Sequence, residues 1–199
     1  MKGYNNDIKE FERIAAGDAE AFSRVYSVYR KRVYGFAYRM VGNQSTAEDI
    51  TQEAFMVLIK NPGQYRWERG SMLTFLCAVA RNQILKYFRH QGYKIEDSIV
   101  EHNLVLQSNE TVVDPLSTLL DRELGEKVNE TIALLPPLQR EAIVLREFQD
   151  LSYEEISIVT GVEVNVVKAR LHRARQSAAK HLASYMISKG EQFYELRKS

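Results

Sequence analysis

The 199-residue chain contains one cysteine, Cys77, and therefore cannot form an intramolecular disulfide. None of the four histidines has metal-ligand spacing with Cys77 or with another histidine; they are His90, His102, His172 and His181. A Gly-rich phosphate loop is also missing, so the sequence gives no support to an enzyme. We expect no catalytic residue, no metal and no cofactor, and we interpret Cys77 as a buried, inert thiol.

Long apolar runs are missing as well. No segment approaches 18 uninterrupted apolar residues, and the N-terminus MKGYNNDIKEFERI has no apolar core of signal-peptide length. The sequence therefore predicts a soluble, cytoplasmic protein without membrane insertion. Hydrophobic residues still make up 45% of the chain, which is enough to form real cores and excludes a disordered tail.

Proline is scarce, and all four prolines lie where a helix would begin or end: Pro62, Pro115, Pro136 and Pro137. Apolar residues recur at three-and-four spacing between Asp18 and Gly42, which predicts one long amphipathic helix. A second helix is predicted to begin at Ser45, which has capping-box spacing to Glu48, and a third to begin at Ser71. These patterns predict an all-α protein.

Two helical domains are predicted, over residues 1–91 and 115–182, with a linker at 92–114 and an uninformative tail at 183–199. The linker has no persistent period, yet its apolar residues suggest docking onto another surface. Helices are predicted to start at Asp114-Pro115 and in LPPLQREAIVLREF. The net charge of +1 is unevenly distributed: residues 1–90 carry 14 basic and 9 acidic side chains, residues 91–130 carry 3 and 9, and residues 131–199 carry 10 and 8.

The most specific local pattern is DLSYEEISIVTGVEVNVVKARLHRARQSAAKHL, residues 150–182. Ser152 and Glu155 have capping-box spacing, and Gly161 can form a tight turn, so the segment predicts a helix-turn-helix with Asn165 as the cap of its second helix. That helix has five Lys or Arg and no acid between residues 164 and 182. A merely solvated face would normally mix signs, so this charge favours DNA binding. The predicted outward face comprises Lys168, Ala169, His172, Arg173 and Gln176, with Arg170 and Arg175 nearer its flanks, where they could reach phosphates or pair with acids.

Aromatic and basic residues alternate in the loop YRWERGS, which precedes a helix with further basic residues. Aromatic rings stack on unpaired bases, Arg holds phosphates and Asn reads base edges, which is what single-stranded DNA requires. The alternative is that the loop aromatics fill the core. The candidate residues are Tyr65, Arg66, Arg81, Asn82, Lys86 and Arg89.

A polar stripe at helical spacing forms a third candidate site: Asp49, Gln52, Glu53 and Met56. It lies opposite the apolar residues Ile50, Ala54 and Val57 of the same predicted helix. By itself such a stripe is better explained as a solvated helix face.

Taken in order, six strings resemble the extracytoplasmic-function sigma factors of bacterial RNA polymerase, over roughly residues 8–182. They are GDAEAF, AEDITQEAF, YRWERGS, FLCAVARNQILKYFR, LPPLQREAIVLRE and LSYEEISIVTGVEVNVVKARLHRAR. The resemblance implies a non-catalytic promoter-specificity subunit with two helical domains, which resemble sigma regions 2 and 4.

The resemblance also implies partners and residue roles. Asp49, Gln52, Glu53 and Met56 would contact core RNA polymerase, whose beta and beta-prime subunits would both be bound. The loop and the helix after it would capture the minus-10 element, with Tyr65, Arg66 and Asn82 at the base pocket. The helix-turn-helix would read the minus-35 element of promoter DNA, the linker would thread through polymerase, and an anti-sigma factor would be a further partner.

One alternative remains open from the residues alone. A two-domain transcriptional regulator could use the same helix-turn-helix together with a helical sensor domain. Such a sensor needs a ligand cavity or a phosphoacceptor pocket, whereas this N-terminal half has a basic aromatic loop and a polar stripe.

Overall fold

The computed structural model describes residues 2–92 and 119–196, and every regular element in these ranges is helical. This confirms the all-α prediction. The N-terminal domain consists of α1 (Lys2–Ala15), α2 (Ala19–Val41), α3 (Gln44–Lys60) and α4 (Met72–His90), with two short 3₁₀ helices, Pro62–Gln64 and Trp67–Arg69, between α3 and α4. The C-terminal domain consists of α5 (Leu119–Ala133), α6 (Pro137–Glu147), α7 (Tyr153–Thr160) and α8 (Val164–Leu196).

Helix α2 begins and ends where its sequence predicts. The Asp18 carboxylate accepts hydrogen bonds from the backbone N–H groups of Glu20 and Ala21, at 2.9 and 3.1 Å. Gly42 ends the helix in the left-handed conformation, at φ 68°, which costs glycine nothing because it has no Cβ. The apolar side of α2 includes Phe36 and Met40, which are both fully buried.

The predicted capping box of α3 is wrong. Asn43, not Ser45, caps the helix: its side chain accepts from the Thr46 N–H at 2.9 Å. Because Gly42 has already reversed the chain, the next residue is extended, at φ −130° and ψ 126°, and the helix starts two residues earlier than Ser45 requires. The cap of α4 is as predicted, since the Ser71 hydroxyl accepts from the Thr74 N–H at 3.2 Å.

The C-terminal domain contains the predicted helix-turn-helix. Ser152 and Glu155 form a reciprocal capping box at the start of α7, and Gly161, at φ 71°, makes the turn to α8. Asn165 is not the cap of α8, because Val164 is already helical and the Glu163 carbonyl accepts from Val166 and Val167. Helix α8 then continues without a break to Leu196, through the predicted tail.

The two domains are packed against each other, with α2 and α4 facing α6 and α7. Arg140 of α6 is fully buried, and its guanidinium donates to the carbonyls of Met40, Ala133 and Leu135, which belong to both domains. The Arg39 guanidinium lies 4.1 Å from the ring centroid of Phe148. The predicted helix start at Asp114-Pro115 and almost all of the predicted linker lie outside the described residues.

Candidate nucleic-acid interface

Helix α8 presents the predicted reading face to solvent. Its inward side is formed by Val167, Leu171 and Ala174, which are at most 1% exposed. At 100° per residue, positions 168, 169, 172, 173 and 176 lie on the opposite side of the helix. All five predicted reading residues are accordingly exposed: Lys168, Ala169, His172, Arg173 and Gln176.

The two flanking arginines of α8 differ from each other. Arg170 is only 4% exposed, so of its two predicted alternatives the phosphate contact does not fit this conformation, whereas proximity to an acid does. Its position between Val167 and Leu171 turns its stem toward α6, where its charge acts on the buried carboxylate of Glu141. Arg175 is exposed and forms an ion pair with Glu147 of α6, at 2.6 Å, so one of the two predicted alternatives, pairing with an acid, is what the structure shows.

Tyr153, the first residue of α7, was not recognised from the sequence as part of this site. Its ring lies 5.0 Å from the Arg146 guanidinium and 5.8 Å from the Lys168 ammonium. A ring beside two cations holds the Lys168 stem at the edge of the reading face. The signal in the sequence was an aromatic residue directly after the cap of the first helix of a helix-turn-helix.

Helix α4 presents part of the second candidate site. Asn82, Lys86 and Arg89 are exposed along one side of the helix, and Arg66 is exposed in the preceding loop. Arg81 is not available in the same way: its side chain is 15% exposed and forms an ion pair with Glu141 of α6, at 2.7 Å. The helix therefore brings together three of the predicted minus-10 residues, while a fourth faces the other domain.

Tyr65 is a core residue in this structure, 5% exposed, which contradicts its predicted exposure as a stacking platform. Its ring packs edge-on against Phe11 of α1 at 4.8 Å and against Phe75 of α4 at 5.5 Å. The alternative that a loop aromatic fills the core therefore holds for Tyr65. The exposed aromatic ring of the loop is Trp67, at 47%, which was not among the predicted minus-10 residues.

The polar stripe of α3 is on the surface, as predicted. Asp49, Gln52, Glu53 and Met56 are exposed, whereas Ile50, Ala54 and Leu58 of the same helix are buried. Ile59 extends the exposed side and is 44% accessible, so the stripe ends in two apolar side chains. A polar stripe with an apolar end can be an ordinary solvent-exposed helix face, and it can also be a surface that binds a partner protein.

Two glutamates of the C-terminal domain reach α4: Glu141 was not singled out from the sequence, and Glu155 was predicted only as part of a capping box. Burial raises the pKa of Glu141, while the charges of Arg81 and Arg170 lower it. Glu155 accepts from the Ser152 N–H with one oxygen, and from the hydroxyls of Ser71 and Thr74 with the other, at 3.1 and 2.9 Å. Its pKa is lowered because these hydrogen bonds outweigh its partial burial.

The remaining sequence expectations concern metals, membranes and Cys77. Among the residues that the structure describes, no three His, Cys, Asp or Glu side chains are placed to hold a metal ion. No helix in the described ranges is long and apolar enough to cross a membrane. Cys77 is buried, and burial raises the pKa of its thiol to about 12, as expected of an inert cysteine.

Comparison with known proteins supports the division into two domains. The sigma-70 region 2 family matches residues 25–93, and the sigma-70 region 4 family matches residues 125–177. The chain is 30% identical over 179 residues to the ECF RNA polymerase sigma factor SigW of Bacillus subtilis, covering 87% of this chain and 95% of the relative.

Two further similarities agree with this result. The ECF RNA polymerase sigma factor BldN of Streptomyces coelicolor is 30% identical over 171 residues, which is 86% of this chain and 64% of the longer relative. The structure of CnrH, solved in complex with the cytosolic domain of CnrY, superimposes with a TM-score of 0.67 at 18% identity, covering 90% of this chain and 98% of CnrH. The helix-turn-helix, the two matched regions and the near full-length relatives together show that this chain belongs to the extracytoplasmic-function family of sigma-70-type RNA polymerase sigma factors.

Proposed function

We propose that this protein directs core RNA polymerase to specific promoters by reading the minus-35 element with α8 and by capturing and melting the minus-10 element with α4 and the loop before it. The observation that carries the proposal is the exposed reading face of α8, which follows a Gly turn in a segment with no acid from residue 164 to 182; it comprises Lys168, Ala169, His172, Arg173 and Gln176. An α-helix fits the major groove, where each base pair has a distinct pattern of donors and acceptors.

Base reading and phosphate contact are divided among the residues of this face. Arg173 is exposed at the middle of the face and can form a bidentate contact to guanine. Lys168, held at the edge by Tyr153, suits a phosphate. His172 and Gln176 lie on the same side, and Ala169 leaves room for close approach to a thymine methyl.

Minus-10 capture is assigned to a smaller set than the sequence suggested. Asn82 is placed to read an unpaired base, while Lys86, Arg89 and Arg66 neutralise phosphates. The exposed Trp67 ring supplies the stacking surface that Tyr65, buried in the core, does not. Arg81 joins this set only when its ion pair with Glu141 is broken.

The partners follow from the same assignment. The exposed stripe of α3, Asp49 to Met56, docks on core polymerase, and the C-terminal domain contacts the second large subunit. The protein acts in the cytoplasm as a specificity subunit without catalytic activity of its own, under control of an anti-sigma factor. CnrH was solved with its partner CnrY, and a comparable inhibitor is proposed for this chain. The domain limits proposed for these roles are 1–91, 115–182, and a linker at 92–114.

Run-off transcription with purified core polymerase tests the proposal. Genomic fragments are the templates, and we expect discrete transcripts only when this protein is added. Arg173→Ala should abolish them, whereas Arg13→Ala, which removes an exposed arginine of α1 in the other domain, should leave them unchanged. Absence of any transcript, combined with tight binding of duplex DNA by the protein alone, would instead favour a regulator that acts without polymerase.

A further inference from the structure

We propose that α1, to which no DNA contact is assigned, positions the loop that captures minus-10 DNA, and that Phe11 of α1 does so through Tyr65. The inference rests on the proposed function of that loop, which is called the α3–α4 loop and comprises residues 61–71. It assigns a part in promoter opening to a helix that lies before residue 25, where the match to sigma-70 region 2 begins.

The α3–α4 loop is anchored by one side chain. Among residues 61–70, all of which the structure describes, Tyr65 is the one buried residue. The next four residues are exposed, and they include Arg66 and Trp67, which are proposed to contact DNA. An exposed, short 3₁₀ segment has few packing contacts of its own to fix it. The orientation of Arg66 and Trp67 therefore depends on how firmly Tyr65 is held.

Two aromatic rings hold Tyr65, and one of them belongs to α1. The Phe11 and Tyr65 ring centroids are 4.8 Å apart at an interplanar angle of 72°, which is the edge-to-face arrangement that aromatic pairs prefer. The other ring is that of Phe75 in α4, at 5.5 Å. Helix α1 also packs against the 3₁₀ helix Pro62–Gln64, which directly precedes Tyr65. Loss of the Phe11 ring would therefore remove one of the two rings that fix the anchor of the loop.

Helix α1 has a defined position of its own. Its contact face consists of residues three or four positions apart, which lie on one side of a helix: Asp7, Glu10, Phe11 and Ile14. The Tyr29 hydroxyl of α2 donates to the Asp7 carboxylate, 2.8 and 2.9 Å from its two oxygens. The Arg24 guanidinium of α2 donates to the Glu10 carboxylate at 3.0 to 3.3 Å, and Ile14 is buried. Phe11 is therefore presented to Tyr65 from a fixed support, as a positioning residue must be.

The experiment measures promoter opening by the holoenzyme, as permanganate reactivity of unpaired thymines on a duplex promoter identified by run-off transcription. Phe11→Ala should bind core polymerase normally and form about tenfold fewer open complexes than wild type. That factor corresponds to about 1.4 kcal/mol, the upper range of an aromatic pair. Phe11→Tyr keeps the ring and should open the promoter like wild type. Phe11→Leu fills much of the same space without a ring, so it keeps the fold if alanine does not, and it should lose about threefold.

Ile14→Ala separates positioning from a general loss of stability. It removes a buried side chain from the next turn of α1 and leaves the pair of Phe11 and Tyr65 in place. Its urea midpoint of unfolding should fall by an amount similar to that of Phe11→Ala. Its open complexes should nevertheless form at the wild-type level, because the anchor of the loop keeps both rings.

Time-resolved fluorescence anisotropy of Trp67 reports on the loop directly in the free, full-length protein, since Trp67 is the one tryptophan of the chain. Wild type and Ile14→Ala should show mainly the tumbling of the whole protein. Phe11→Ala should add a nanosecond component, which is the timescale of loop motion. This readout requires neither DNA nor polymerase.

Normal promoter opening by Phe11→Ala would overturn the inference, as would an equal loss of opening in Ile14→Ala. Loss of opening without added motion of Trp67 would also overturn it, because the loop would then not be what Phe11 positions. Asn82→Ala is the reference for the proposed function. Normal opening by both Asn82→Ala and Phe11→Ala would refute the assignment of minus-10 capture itself, whereas normal opening by Phe11→Ala alone counts only against the role of α1.

Discussion

Replacement of Tyr65 by alanine should destabilise the N-terminal domain rather than act on DNA opening alone. The ring is 5% exposed and packs against Phe11 and Phe75, at centroid distances of 4.8 and 5.5 Å. Truncation of a buried aromatic to alanine typically costs about 3 to 5 kcal/mol. Tyr65→Phe retains the ring and both ring contacts, so its cost should stay below about 1 kcal/mol.

Urea denaturation measures this effect, with unfolding monitored by the fluorescence of Trp67. Trp67 is the one tryptophan of the chain and lies two residues from Tyr65. With a denaturant slope of about 2 kcal/mol per molar, the midpoint of Tyr65→Ala should fall by about 2 M. The exposed Asn82→Ala serves as the control, and its midpoint should move by no more than about 0.25 M.

Open-complex formation separates the two roles. Permanganate reactivity of unpaired thymines should be low for Asn82→Ala on duplex promoter, nearly normal for Tyr65→Phe, and partly restored for Asn82→Ala on a template already mismatched across the minus-10 region. A Tyr65→Ala protein with the wild-type urea midpoint that still fails to open promoter DNA would refute the reasoning. It would indicate that Tyr65 contacts DNA.

Four further outcomes are expected. Arg170→Ala should lower the urea midpoint of unfolding, because Arg170 is buried beside Glu141. Lys168→Ala should leave that midpoint unchanged and reduce the slope of the salt dependence of DNA binding by about one. The reverse pattern would contradict the burial of Arg170. Glu53→Lys should fold normally and lose co-purification with core polymerase, and full retention would leave the α3 stripe as solvated surface. The lowered pKa of Glu155 means that its stabilisation is present above its unfolded pKa and is lost as the pH falls through its folded pKa, so Glu155→Gln should flatten the acid side of the stability curve below about pH 4.5, as followed by circular dichroism. Cys77 should resist Ellman's reagent at pH 8 until denaturant is added, because its thiol is buried and has a pKa of about 12, and rapid reaction in native protein would disprove that burial.

Local structure was predictable where it depends on neighbouring residues. Asp18 and Gly42 limit α2 as expected, and the capping box of Ser152 with Glu155 forms as its spacing requires. The caps at Ser45 and Asn165 failed for a local reason too, since each helix begins before the chosen residue. A sequence pattern therefore predicts the presence of a helix more reliably than it predicts the residue at which the helix begins.

The roles of Arg81 and Arg170 were not predictable, because their partners lie in another helix, far away in the sequence. The Arg81 partner is 60 residues away in α6, and the partners of Glu155 in α4 are 81 and 84 residues away. Periodicity places Arg81 on an outer side of α4 but gives no information on which other helix covers that side. Surface charge identified the residues, and only the tertiary packing showed that some of them face another domain.

Because α8 is unbroken, a rotation of the whole helix would move the predicted reading face and the C-terminal turns together. Thirty-three helical residues at about 1.5 Å each form a rod of about 50 Å, and the predicted reading face lies in its first half. Farther along the rod, the Tyr185 ring lies 5.5 Å from the Lys127 ammonium of α5. A tilt of about 10° about the Gly161 turn would move the far end by about 9 Å. A partner bound to the last turns of α8 would therefore set the angle at which the proposed reading residue Arg173 meets DNA.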